Sequence, residues 1–115
     1  MNLQLYVFKR NFDTQKAERF LKERRVPFQV VDLHKHRLGL RELELFAREG
    51  GARSIVDLED KAVKSHPIAY TNDSQTILDY LLEKPQFLRC PIIRDGRRVM
   101  VGFNADELSR WLAQP

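Results

Sequence analysis

The one cysteine of the chain, Cys90, stands directly before Pro91 in Phe87-Leu88-Arg89-Cys90-Pro91-Ile92-Ile93, at the mouth of a predicted strand. A lone thiol is a nucleophile where its surroundings favour the thiolate, and elsewhere a small apolar filler. Both readings of Cys90 stand on sequence alone. A second constellation runs from Lys9 to Lys16, where Asn11, Asp13 and Thr14 lie among Lys9, Arg10 and Lys16. Side chains of these types cap a helix, and the backbone amides behind them can hold an oxyanion or a carboxylate of glutathione. Capping is the plainer reading, because every helix needs it. His34 and His36 are two residues apart, with His66 as a third candidate ligand, but no thiol or acid cluster accompanies them and no metal site is expected.

These groups must be positioned by one domain spanning residues 1–115, long enough to bury a core without disulfides or a structural metal. With 43% hydrophobic and 31% charged residues the composition is that of an ordinary globular protein, so order is expected nearly throughout. No apolar run approaches the roughly 20 residues that span a bilayer. The first eight residues read as a strand and not as a signal peptide, and a reducing cytoplasm is the expected compartment. The net charge of +4 comes from scattered groups: Arg24-Arg25, His34-Lys35-His36-Arg37, and Arg94 with Arg97-Arg98. Nucleic-acid binding would want cations gathered on one face with aromatics to stack on, and is not expected here.

Leu3, Leu5 and Val7 alternate with Gln4 and Tyr6, which predicts a first strand over residues 2 to 8. A helix follows, capped by Asn11 or Asp13, with Ala17, Phe20 and Leu21 on its apolar face and an end near Arg24-Arg25. Residues 26 to 33 predict a second strand, joined to the first by a right-handed parallel crossover. Leu40, Leu43, Phe46 and Ala47 mark a second helix stopped by Gly50-Gly51, and the weak periodicity of residues 52 to 66 suggests short helical turns. A third main helix has Asn72, Asp73 or Ser74 as its cap, Ile77, Leu78, Leu81 and Leu82 as its stripe, and Pro85 as its stop. Ile92-Ile93 and Val99-Met100-Val101 flank Asp95-Gly96 and predict an antiparallel hairpin turning on that dipeptide. Asn104 and Glu107 have capping-box spacing at the start of a closing helix that carries Leu108, Trp111 and Leu112. Tyr6, Phe8, Phe20, Phe28 and Trp111 are read as core.

The order βαβ, helical insertion, ββα, with Pro91-Ile92-Ile93, Asp95-Gly96, Val99 and Val101-Gly102-Phe103, resembles the glutaredoxin-coupled arsenate reductases and their relatives, the Spx-type transcriptional regulators. Lys16-Ala17 and Leu81-Leu82-Glu83-Lys84-Pro85 extend the resemblance over nearly the whole chain. It implies an α/β, thioredoxin-like fold with a four-stranded mixed sheet, a cis Pro91, and a residue 90 facing the N-terminus of the first helix. It also shows what is missing. Aligning Lys16-Ala17 puts Asn11 where active members carry the nucleophilic cysteine and Thr14 where Spx-like members carry a second one, and Cys90 replaces the arginine before the proline, with Arg89 one residue back. Arg53 has no secure alignment to the family's remaining arginine.

The expected function is that of a catalytically degenerate arsenate reductase-like protein acting as a protein-binding or regulatory module, with an unidentified protein as partner, no membrane association and no resident cofactor. The alternative is a glutathione-coupled thiol oxidoreductase with Cys90 as its single catalytic thiol. The pocket that either would inherit comprises Asn11, Asp13, Thr14, Lys16, Arg89 and Pro91.

Overall fold

Alternation in the first strand organises the molecule. The computed structural model describes residues 2–114, and in it β1 (Leu3–Val7) is an inner strand of a four-stranded sheet of order β2-β1-β3-β4. β2 (Phe28–Asp32) runs parallel to it, and β3 (Ile92–Asp95) pairs antiparallel both with β1 and with β4 (Arg98–Val101). Successive side chains of a strand point to opposite faces. Leu3, Leu5 and Val7 therefore meet α1 (Phe12–Glu23) and α5 (Ala105–Ala113) on one face, packed with Phe20, Leu21, Ile93, Leu108 and Trp111. Tyr6 and Ile92 enter a second core on the other face, built from α2 (Leu40–Ala47), α4 (Ser74–Glu83) and the turns between them.

Helix ends follow the side chains that satisfy their free amides. Asn11 caps α1, Asp73 caps α4 and Asn104 caps α5, each accepting a backbone N–H three residues on. The expected choices thus resolve to Asn11 over Asp13, and to Asp73 over its neighbours. α1 stops where Arg25 turns to φ +56° and the Val26 N–H donates to the Leu21 carbonyl at 2.9 Å. The stretch from 52 to 70 folds into a 3-10 turn at Ala52–Ile55, the one-turn α3 (Lys61–Lys64) and a 3-10 turn at Pro67–Tyr70. A third 3-10 turn, Pro85–Phe87, follows α4. Ile55, Val63 and Ile68 are fully buried, so this insertion is held by anchors spaced too irregularly to show a period.

The hairpin lies where expected, but its turn falls one residue later. Asp95 still pairs with Arg98, which leaves Gly96-Arg97 as the two-residue loop, with Gly96 at φ +60° in its first position. The Arg98 guanidinium holds Asp95 in the ladder by donating to its carboxylate at 2.6 Å, while lying over the Trp111 ring. Of the aromatics assigned to the core, Tyr6, Phe20 and Trp111 are buried, whereas Phe8 and Phe28 are partly exposed. Phe8 stacks on His34 at 4.0 Å between ring centres.

One polar network crosses the boundary of the second core. Glu42 accepts from the Tyr6 hydroxyl at 3.1 Å, from the Gly39 N–H at 2.9 Å and from His36 Nε2 at 3.0 Å. Burial pushes the Glu42 carboxyl upward, but the Gly39, His36 and Tyr6 hydrogen bonds together outweigh it and hold the group below its ordinary value. Its stabilising effect is therefore complete above the unfolded glutamate value of about 4.3 and is lost as pH falls through the lower folded value. In urea titrations, Glu42→Gln is expected to lower the midpoint at pH 7 and to lose less than the wild type on going from pH 5 to pH 3; parallel acid limbs would show that Glu42 is not coupled to folding in this way.

Candidate functional site

The start of α1 and the strand-opening proline meet through one carboxamide. Asn11 Oδ1 accepts from the Thr14 N–H at 2.8 Å and from the Thr14 hydroxyl at 2.9 Å, while Asn11 Nδ2 donates to the Cys90 carbonyl at 2.8 Å. The Cys90-Pro91 peptide bond is cis. Asn11 thus caps the helix with its oxygen and ties down the cis-proline segment with its nitrogen, and Thr14, fully buried, has its amide and hydroxyl turned onto the same carboxamide. These bonds bring Asn11 and Thr14 against the Cys90-Pro91 segment. Of the groups at this helix start, the Thr14 amide and hydroxyl are already joined to Asn11, and the Gln15 N–H donates to the Asn11 carbonyl at 3.1 Å.

Cys90 is 8% exposed. Burial pushes its thiol up to about 11, and the Asp57 carboxylate adds to the rise, while the Phe8 and Lys9 amides and the Lys9 charge pull more weakly the other way. At neutral pH the group is the thiol. A cysteine poised to react has the opposite surroundings, electropositive and partly exposed.

The flanking cations are mostly engaged elsewhere. Lys9 pairs with Asp60 at 3.1 Å, Arg10 pairs with the buried Glu18, and Lys16 is exposed on α1. Asp13, in the first turn of α1, is half-buried. Arg89 and Cys90 take opposite sides of the extended segment, Cys90 inward and Arg89 outward. The Arg89 N–H donates to the Ile55 carbonyl at 2.8 Å, and its guanidinium crosses Gly102, where an added Cβ would lie 3.0 Å from Nη2. Gly102 is at φ +83° and its N–H donates to the Pro91 carbonyl at 2.8 Å, so the Val-Gly-Phe glycine serves both the backbone turn and the passage of Arg89. Arg89 borders a cavity of about 470 Å³ with Arg48, Arg97 and Glu107, and another of about 370 Å³ with Arg53, Asp57 and Glu59. Neither is lined by Asn11, Asp13, Thr14 or Lys16. Arg53 Nη1 donates to the Ala69 and Thr71 carbonyls at 3.1 and 3.0 Å, bracing the insertion.

The three histidines have separate tasks. His34 bonds Asp32, His36 bonds Glu42, and His66 Nδ1 accepts from the Ile68 N–H at the start of its 3-10 turn. One residue beside the site was not singled out by its chemistry. Phe12 follows Asn11 and is 81% exposed. Its helical position shares a face with Lys16 and Arg19 instead of with Ala17, Phe20 and Leu21, and that mismatch is visible in the sequence.

Among curated proteins, the chain is 31% identical over 113 residues to the global transcriptional regulator Spx of Enterococcus faecalis, covering 96% of this chain and 86% of that one. It is 33% identical over 101 residues to the global transcriptional regulator Spx of Streptococcus pneumoniae strain R6, covering 85% and 76%. Among solved structures, the arsenate reductase from Vibrio cholerae superposes with a TM-score of 0.80 at 12% identity, covering 96% of this chain and 97% of that one. The arsenate reductase (ArsC) related protein from Brucella melitensis gives 0.74 at 18% identity, covering 97% and 95%. At these identities the structural matches speak to the fold, which is the thioredoxin-like α/β fold with its four-stranded mixed sheet. The ArsC family model matches residues 6–111, almost the full span of the described structure, and the chain belongs to the ArsC family.

Proposed function

We propose that this chain is a catalytically degenerate ArsC-family protein that works by binding a protein partner in a regulatory role, in the cytoplasm, without arsenate reductase turnover. The observation that supports this reading is Asn11. At the position of the family's nucleophile stands a carboxamide, which forms no thiolate and whose oxygen and nitrogen are both committed to holding α1 and the Cys90-Pro91 segment together. The relatives named as global transcriptional regulators, similar over most of their length, supply the class of role. Phe12 supplies a feature that protein contacts favour, a large exposed aromatic ring on an ordered helix beside this segment.

The rival is thiol chemistry by Cys90 with glutathione as co-substrate. It requires a thiolate at neutral pH in a position where burial and Asp57 favour the thiol. The two readings part on simple measurements. With iodoacetamide at pH 7.5, Cys90 in the native protein is expected to react at least about 100-fold more slowly than in urea, where the thiol returns to its unperturbed value of roughly 8.5; equal or faster native alkylation would put the thiol enzyme first. Supplied with arsenate, glutathione and glutaredoxin, wild type is expected to turn over no faster than Cys90→Ser. In cells lacking the protein, both forms are expected to restore the same transcript profile, and loss of either activity on Cys90→Ser would overturn the regulatory reading. Asn11→Ala is expected to lower folding stability by about 0.5–2 kcal/mol, the usual cost of a lost cap, measured by urea denaturation.

A further inference from the structure

The sheet order leaves one edge of β2 and one edge of β4 without a neighbouring strand. On β2 the direction of the backbone groups follows from one bond. The Leu33 N–H donates to the Val7 carbonyl at 2.9 Å, and the backbone groups of successive strand residues turn to opposite edges, so Gln29 and Val31 also face β1 while Phe28 and Val30 face outward. Among the described residues the N–H and C=O groups of Phe28 and Val30 have no partner. Sheets guard such an edge with charge, a bulge or a cover. β4 is guarded: Arg97 and Arg98 open it, and Arg48, Glu49 and Glu107 gather beside Val99. β2 is not. It runs Phe28-Gln29-Val30-Val31 without a charge or a glycine, and Gln29 and Val30 are exposed, Val30 at 39%.

The two ends of this edge carry opposite charges. Before it stands Arg25, exposed, held at φ +56° in the turn out of α1, with no partner for its guanidinium among the described residues. At its far end stands Asp32, whose side chain is 43% exposed. Asp32 Oδ1 accepts from the His34 N–H and ring nitrogen at 2.9 and 3.0 Å, and Oδ2 has no partner. The Arg10 charge nearby is paired with Glu18. An edge with a free cation at its start and a free carboxylate oxygen at its end is complementary to itself run in reverse. A two-fold contact between identical subunits demands that property, since the same patch serves on both sides.

From this geometry we infer that the β2 edge receives the β2 edge of a second copy of this chain, antiparallel about a two-fold axis at Gln29, so that two four-stranded sheets become one. The register follows from the groups that are free. Phe28 of one copy exchanges both backbone bonds with Val30 of the other, which uses every unpartnered N–H and C=O of these two residues. Asp32 then lies opposite Val26 and beside Arg25 of the second copy. Centring the pair on Val30 would instead set Arg25 against Lys35. Pro27, with no N–H, ends the pairing on its side. Two five-residue edges make a small contact beside the roughly 1,200–2,000 Å² of a standard interface, so association depends on concentration. The inference is independent of the regulatory reading and of the state of Cys90.

The test is sedimentation equilibrium from about 10 µM to about 1 mM, with amide hydrogen exchange read by ¹⁵N NMR at both ends of that range. Wild type is expected to pass from monomer to dimer with a dissociation constant of about 100 µM. The Phe28 and Val30 amides are expected to exchange about fivefold more slowly at the high end, while the Gln29 and Val31 amides, bonded to β1, keep their rates. Val30→Lys, at a side chain already partly exposed, is expected to weaken association at least about tenfold. Arg25→Asp, a residue that tolerates positive φ, and Asp32→Lys are each expected to weaken it at least about threefold, and the double variant to return within about twofold of wild type. Arg97→Glu, at the β4 side of the sheet, is expected to change it less than about twofold. Thermal melts of each variant separate these effects from loss of fold. Five results would each overturn the inference: a monomer throughout the range, exchange at Phe28 and Val30 independent of concentration, a dimer that survives in folded Val30→Lys, a dimer lost in Arg97→Glu, or a double charge reversal weaker than either single one.

Discussion

The constraint on which this structure depends is the position of β1 between β2 and β3, hydrogen-bonded along both edges and required to serve two different surroundings with alternate residues. Leu3, Leu5 and Val7 join α1 and α5 in a dry core. On the other face Gln4 stays polar, Tyr6 carries a ring into the second core with its hydroxyl in a charged network, and Phe8 closes over His34. A slip of one residue would exchange these sets and bury Gln4 where Leu3 and Leu5 belong. The same alternation sets the direction of the site, because the chain leaves β1 through Phe8 and Lys9 directly into the Asn11 cap, while Pro91 delivers β3 to the same end of the sheet. Cap and cis-proline segment meet because two neighbouring antiparallel strands end together.

What the sequence disclosed depended on the range of the forces involved. Periodicity exposed β1 and the longer helices, because burial of one face repeats along the chain, whereas β2, whose burial does not alternate, was legible only as an apolar run opening at Pro27. The Asp95-Gly96 signal located the hairpin, but its register was decided by Asp95 remaining opposite Arg98, whose guanidinium is itself fixed over Trp111, a partner far along the chain. The insertion between α2 and α4 was opaque for a related reason. Ile55, Val63 and Ile68 are fully buried, but each is anchored by tertiary contacts and not by membership in a regular stripe. The site residues were legible as types and not as bonds. That Asn11 would bond forward to Thr14 and across to Cys90 needs the coordinates, since nothing local joins positions 11 and 90.

A carboxamide at a helix start does different work from a thiol. A cysteine there exposes one atom whose charge the helix N-terminus can stabilise, and catalysis uses that atom. A carboxamide offers an acceptor and a donor in a fixed plane, and in this chain both are spent on structure. Asn11 is a staple between α1 and the segment before β3. Cys90 fits the same account: an arginine there, as in the resembling family, needs solvent or an anion, whereas a cysteine needs only space, and at 8% exposure with its thiol pushed up it fills space.

The ArsC scaffold separates two features that an enzyme of this fold would combine, a rigid sheet and a reactive helix start. In this chain the Thr14 amide and hydroxyl at the helix start are spent on Asn11, Arg94 Nη2 on the sheet has no partner among the described residues, and the Phe12 ring and Lys16 are exposed on α1. Retaining such groups on ordered elements costs stability that a purely structural domain would have no reason to forgo, since Phe12 is left in water and Arg94 stands on an inner strand. A thiol enzyme would need the Cys90 thiolate that burial opposes, whereas a contact surface needs only an exposed ring such as Phe12, and on that difference the binding reading proposed above rests.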